Sequence, residues 1–112
     1  TRVRVDNRLG DLSAVPAHLG RTAYRIVQEG LTNARKHAAG TVVDLSLSGG
    51  AGDGITIELR NPKPVGHTPT IPGSGTGLVG LAERATLTGG RLEHGPTPDG
   101  GYRLRAWLPW PA

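Results

Sequence analysis

From Glu29 to Ala38 the chain reads Glu-Gly-Leu-Thr-Asn-Ala-Arg-Lys-His-Ala, a run that supplies a carboxylate, a carboxamide, an amine and an imidazole. With about 100° of turn per residue, a helix through this run carries Asn33 one turn beyond Glu29 and continues the same stripe with Lys36 and His37. Leu19, Ala23, Ile26, Val27, Leu31 and Ala34 fill an adjoining apolar arc, while Arg21, Arg25, Gln28, Thr32 and Arg35 face the other way. The polar stripe falls at the rim of the buried face, where a side chain is held firmly and still reaches a ligand. Oxygen donors next to an amine and an imidazole suit a metal-bound polyphosphate. The plainer alternative is an ordinary amphipathic helix whose boundary residues happen to be polar.

A second stretch points to phosphate. Gly73-Ser74-Gly75-Thr76-Gly77-Leu78-Val79-Gly80 places Gly75, Gly77 and Gly80 in Gly-x-Gly-x-x-Gly spacing at the mouth of a helix. Backbone without side chains comes close to phosphate oxygens there, and its N–H groups sit at the positive end of a helix dipole. A dinucleotide fold would need a strand running straight into the glycines and a parallel crossover after them. Here a proline-rich stretch precedes and a hairpin follows. A P-loop would need Gly-Lys-Ser/Thr, and Gly77-Leu78-Val79 is not that. Taken alone, the run also admits a blander reading, a flexible hinge followed by a helix start.

The elements that must position these groups follow from patterning. Arg2 to Asp6 alternates as a strand, and Asn7 to Val15 is a polar connection. Pro16 opens a long helix ending near Ala38, with Gly40 suited to a left-handed cap. Thr41 to Ser48 and Ile55 to Arg60 are strands of period two around a hairpin loop, Gly49 to Gly54. Between Asn61 and Gly77, Pro62, Pro64, Pro69 and Pro72 with four glycines forbid a regular element, and a loop of that length reads as a mobile flap. Leu78 to Leu87 has helical spacing up to Gly89-Gly90. Arg91 to His94 and Tyr102 to Leu108 are strands flanking the turn Gly95 to Gly101. Such an order predicts an α+β domain, a two-layer sandwich with helices on one face of a mixed, mostly antiparallel sheet.

Composition narrows the classes further. At 112 residues the chain holds one domain. It starts at Thr1, contains no methionine and enters an apolar alternation at once, as a segment of a longer protein would. Without cysteine it has no disulfide framework or thiolate metal site, which agrees with a reducing compartment. It contains neither an apolar run of membrane-spanning length nor a signal-peptide pattern, so it reads as soluble. The net charge of +4 is scattered, and two Trp, two Tyr and no Phe offer little to stack on bases. Direct nucleic-acid binding is therefore disfavoured.

Together, the long helix with Glu-x-x-x-Asn, the two strands, the Gly/Pro flap and Gly77-Leu78-Val79-Gly80-Leu81-Ala82-Glu83-Arg84 before a final hairpin resemble the Bergerat-type ATP-binding domain. The closest resemblance is to the catalytic and ATP-binding domain of sensor histidine kinases, in the subgroup that signals to LuxR-type response regulators. Tyr24 to Ala38 is similar to that subgroup's N-box, and Gly77 to Arg84 followed by Gly89-Gly90 to its glycine-rich box. The resemblance spans essentially residues 1–112, with an ATP lid at about 62–77. It implies that Asn33 coordinates Mg²⁺ bridging the ATP phosphates and that Glu29 positions the metal or its water. It places Lys36 and His37 at phosphate oxygens, and gives the phosphates the amides of Gly75, Gly77 and Leu78, with Gly73 and the Thr76 hydroxyl nearby.

Two positions depart from the family pattern. Asn61 stands where an Asp usually accepts from the adenine amino group, and its carboxamide oxygen can still accept. Tyr102 replaces a Thr on the adenine side. The resemblance implies donation of the γ-phosphoryl group to a histidine in a separate dimerisation domain, a response regulator downstream, a cytosolic location and a monomeric isolated domain. Alternatives are a degenerate or regulatory nucleotide-binding module, a switch-type protein kinase without histidine autophosphorylation, or a scaffold. His18, His67 and His94 carry no acceptor signature and read as surface residues.

Overall fold

The computed structural model describes residues 2–9, 14–37, 41–62 and 76–111, without the side chains of residues 36–37 and 76–79. Its elements are β1 (Arg2–Leu9), α1 (Ala17–His37), β2 (Val42–Gly50), β3 (Gly54–Asn61), α2 (Thr76–Leu87), β4 (Arg91–Pro96) and β5 (Tyr102–Leu108). The five strands form one mixed sheet in the order β1-β2-β3-β5-β4. β1 runs parallel to β2 and the other neighbours are antiparallel. The expected α+β two-layer architecture is what the chain adopts.

Period-two patterning explains the layers. In β3, Ile55, Ile57 and Leu59 are buried, and in β5 Leu104, Ala106 and Leu108 are, whereas Arg60, Arg103 and Arg105 are exposed. α1 packs against β3 and β5, and α2 against β4, β5 and α1. Leu19, Ile26 and Ala34 of α1 and Leu81 and Ala85 of α2 complete the core with Val43, Leu45 and Trp110. Each fully buried Ile or Leu contributes about 1.5–3 kcal/mol relative to exposure. Among the described residues no helix covers the opposite face of the sheet, and there the exposed Arg4 binds Asp44 at 2.7 Å across the β1–β2 pair.

α1 comes close to the sheet because Gly30 faces it. A Cβ there would stand 3.0 Å from Leu59 Cδ2, so a larger residue would have to push the Leu59 side chain aside by a few tenths of an ångström. The start of α1 is set by Pro16, whose carbonyl accepts from Gly20 N–H at 3.0 Å.

Several boundaries differ from the sequence expectation. β1 extends to Leu9, because Asn7 and Arg8 continue in register with Leu47 and Ser48 of β2. The loop between β2 and β3 shrinks from Gly49–Gly54 to Ala51–Asp53, because Gly50 pairs with Gly54. Gly54 permits this tight closure with φ of +89°, a backbone conformation costly for any residue with a Cβ. Asn61 ends β3 instead of opening the flap, α2 starts two residues early at Thr76, and β4 runs on to Pro96. The flap between 63 and 75, with Gly73 and Gly75, and the cap at Gly40 lie outside the described residues.

Register aligns one end of the sheet. Arg4, Asp44, Arg60, Arg103 and Gly95 form a continuous cross-strand row. One residue further along lie Val3 of β1, Asn61 at the end of β3, Tyr102 at the start of β5 and Pro96 at the end of β4. α1 also finishes at this end, since only residues 38–41 separate it from β2.

Candidate functional site

Asn33 lies in the last turns of α1, and its side chain is more deeply placed than a rim position: the residue is 7% exposed. The close approach at Gly30 brings this part of the helix down onto the sheet. Glu29, one turn earlier, is half-buried. A carboxamide and a carboxylate in adjacent turns are hard oxygen donors, and Mg²⁺ takes one or two such protein ligands while keeping waters and phosphate oxygens for the rest. The donor set therefore fits that ion. Among the described residues, no three His, Cys, Asp or Glu side chains cluster as a metal cage.

The end of the sheet supplies what faces Asn33. Asn61 and Tyr102 are cross-strand partners. Asn61 is 9% exposed, and its Nδ2 reaches the Pro62 carbonyl only at 3.4 Å, so this carboxamide is loosely held by its own chain. Tyr102 is half-buried on the helix side of β5. Burial pushes its phenol above the ordinary value of 10.0, and a hydrogen bond with the Asn33 side chain opposes that rise. On its other side Tyr102 Oη lies 2.6 Å from His94 Nδ1.

The turn before Tyr102 is firmly built. Asp99 accepts from the Thr97 hydroxyl and from Gly101 N–H, the latter at 3.3 Å, and these bonds hold its carboxyl below the ordinary carboxylate value. Gly101 N–H is buried in that turn, and a Cβ at Gly101 would collide with the Asn61 carbonyl, so glycine is required between the strand ends. This locks the position at which Tyr102 enters the sheet.

Of the residues expected from the sequence, Asn33, Asn61 and Tyr102 come together, with Glu29 one turn away. Tyr102 shares a hydrogen bond with the Asn33 side chain. The backbones of Lys36 and His37 continue α1, and Thr76, Gly77 and Leu78 form the first turn of α2, whose N–H groups have no partner within the helix. The side chains of Lys36, His37, Thr76 and Leu78 lie outside the described residues, as do Gly73 and Gly75.

Sequence reasoning missed His94. It is exposed, as expected, yet it is tied to the site through Tyr102. The available signal was the hairpin: with Pro96 opposite Tyr102 and His94 opposite Leu104, His94 and Tyr102 are diagonal neighbours on one face, within reach of long side chains.

No protein-family model matches the chain. It is 30% identical over 110 residues to the signal transduction histidine-protein kinase/phosphatase DegS of Brevibacillus brevis, covering 97% of this chain and 28% of that protein. It is 29% identical over 97 residues to the sensor histidine kinase LnrJ of Bacillus subtilis, covering 87% of this chain and 23% of that protein. The chain thus spans about a quarter of the length of these relatives. Among solved structures, it superposes on the blue-light activated histidine kinase of Erythrobacter litoralis EL346 with a TM-score of 0.66 at 20% identity, over 97% of this chain and 36% of the other. The mycobacterial sensor histidine kinase MprB gives 0.61 at 20% identity, over 98% of this chain and 86% of the other.

Proposed function

We propose, from the premise that the chain is a homologue of sensor histidine kinases and has the fold of their structural relatives, that it is the ATP-binding catalytic domain of such a kinase. In this reading it binds Mg-ATP and donates the γ-phosphoryl group to a histidine on a dimerisation domain of the same protein. A response regulator, of the LuxR type, then receives the phosphoryl group. The observation that carries the reading is Asn33: a buried carboxamide on α1, one turn from Glu29, held against the sheet end where Asn61 and Tyr102 meet.

Each residue has a part. Asn33 Oδ1 holds the metal and Glu29 positions it or its water. When bound, Mg²⁺ spreads and neutralises the charge on the phosphate oxygens, which is most of what phosphoryl transfer asks of its surroundings. Lys36 and His37, at the end of the same helix, meet phosphate oxygens. The N–H groups of Thr76, Gly77 and Leu78, which have no partner within α2, receive phosphate at its positive end, together with Gly73 and Gly75 of the flap. Asn61 accepts from the adenine amino group through its carboxamide oxygen. The protein acts on the cytosolic side of the membrane, where ATP is available. Among the described residues no helix is long and apolar enough to cross a bilayer.

A titration tests this. Mg-ATP added to the 112-residue chain should raise its melting temperature, because a ligand that binds only the folded state stabilises it. Asn33→Ala should remove the Mg²⁺-dependent part of the shift. An unchanged shift in that variant excludes the metal role, and no shift in the wild type at millimolar ATP leaves a scaffold as the better account. Transfer is tested by adding the purified dimerisation region of the parent protein in trans and measuring acid-labile phosphate.

A further inference from the structure

We infer that the helix-free face of the sheet, over β3, β5 and β4, is a docking surface for an acidic polypeptide segment, which sets carboxylates on Arg60 and Arg103 and an apolar side chain beside Trp107. The surface lies on the side of the sheet away from α1 and α2, so it stands apart from the site around Asn33. On β1 and β2 the charges of this face pair among themselves, Arg4 with Asp44 at 2.7 Å and Arg8 with Asp6 at 3.1 Å. Across β3, β5 and β4, register instead sets four arginines, Arg60, Arg103, Arg105 and Arg91, among two carboxylates, Glu58 and Glu93. The cationic excess of the face is concentrated there.

Arg60 and Arg103 stand directly opposite each other in the β3–β5 pair, an arrangement of like charges that costs stability. Arg60 has Glu58 4.0 Å away on its own strand and lies in the field of Asp99, whereas among the described residues no carboxylate forms an ion pair with Arg103. Beside Arg103 in the same row is Gly95, where an added Cβ would meet nothing within 4 Å, and a groove of about 450 Å³ opens there. At the other end of β5, Trp107 is half-buried on this otherwise charged face. Its Nε1–H donates to the Asp53 carbonyl at 3.2 Å, the Arg91 guanidinium lies 5.6 Å from its ring centroid, and with Arg105 it lines a hollow of about 260 Å³. A tethered indole among guanidinium groups has the composition of a binding hot spot, where Trp and Arg are enriched.

Trp107 is four residues from Arg103 along one strand, about 13 Å, and an extended segment rises equally fast. Carboxylates at one point of such a segment and an apolar side chain four residues further therefore meet the two ends of the surface together. Glu58 and Glu93 stand on either side of Arg105 in register, and they select the class of partner. A lipid or nucleic-acid surface of uniform negative charge would press phosphates against both carboxylates, whereas a polypeptide carries acidic groups only where arginines meet them. Among the described residues Trp107 is also the one aromatic ring on this face, too little for successive bases to stack on.

The test titrates the 112-residue chain with a synthetic peptide carrying two adjacent glutamates and, four residues further, a leucine on a serine background. In ¹⁵N spectra at low salt the Trp107 indole N–H and the amides of β5 should shift, and those of α1 should not. Raising the salt from about 0.05 to 0.5 M should weaken binding roughly tenfold, because the paired charges are exposed. Replacing the leucine by serine should weaken it about fivefold or more. Arg103→Glu should lose about tenfold in affinity and should bind instead the peptide with lysines in place of the glutamates, a swap that a merely structural arginine would not produce. The variant sets a carboxylate opposite Arg60, so its denaturant midpoint should equal or exceed that of the wild type. A lower midpoint means that Arg103 serves the fold and overturns the inference. So do an absence of shifts at millimolar peptide, shifts confined to α1, or binding indifferent to the charge swap. Vesicles containing phosphatidylserine bound in preference to the peptide would make this a lipid surface, and dimerisation lost in Arg103→Glu would make its occupant a second copy of the chain; either result overturns the acidic segment.

Discussion

Asn33 carries a polar side chain into a nearly closed position, and its neighbour Tyr102 pays for the same burial in a measurable way. The folded chain holds the Tyr102 proton past the pH near 10 at which the unfolded chain releases it. In that window the folded state binds more protons, so unfolding free energy falls as pH rises, while below it the contribution is complete. Denaturant melts from about pH 8 to pH 11 should therefore show a falling stability in the wild type that is shallower in Tyr102→Phe. Equal slopes would mean that the phenol is not held in this way. At this scale the sequence was informative about identity and less so about surroundings. Glu29 and Asn33 announce themselves by spacing on one helix. The pairing of Asn61 with Tyr102, and the reach of His94 to Tyr102, depend on strand register, which periodicity alone leaves open by a residue or two.

Elements were legible where periodicity was strong. The apolar arc of α1 and the alternation in β3 and β5 fixed both their type and their buried faces. Their ends were less legible, because pairing with a neighbour carries a strand beyond its own pattern, as Asn7 and Arg8 do alongside β2. The β2–β3 turn illustrates the same point: its glycines marked a loop, yet only the pairing of Gly50 with Gly54 reduces it to three residues. Gly54 has φ of +89°, and an added Cβ would stand 2.8 Å from the Leu108 carbonyl oxygen. Gly54→Ala should cost about 1–3 kcal/mol through that strain and crowding, read as a lower denaturant midpoint. Gly50→Ala, with open space around its Cβ, is the control and should cost less.

On the scale of the whole molecule, the sheet is covered unequally. Ile57, in the central strand β3, is fully buried, whereas Val5 on the edge strand β1 is 60% exposed. Ile57→Ala should cost about 2–5 kcal/mol and Val5→Ser within about 0.5 kcal/mol, both measured by chemical unfolding. A large loss at Val5 would show that something covers β1 in solution. The layer order and helix side were legible from the succession of elements, while the parallel pairing of β1 was not, since no local pattern distinguishes parallel from antiparallel at an edge. That pairing has a consequence for reach. Because β1 runs with β2, polypeptide joined at Arg2 issues from the same end of the sheet as Tyr102, three strand spacings or about 14 Å to the side, a gap about four to five extended residues can bridge. An antiparallel β1 would have put that junction at the far end of the strand. An imidazole tethered at Arg2 would meet the site as an intramolecular reactant, at an effective concentration set by the length of its tether and not by the abundance of the protein.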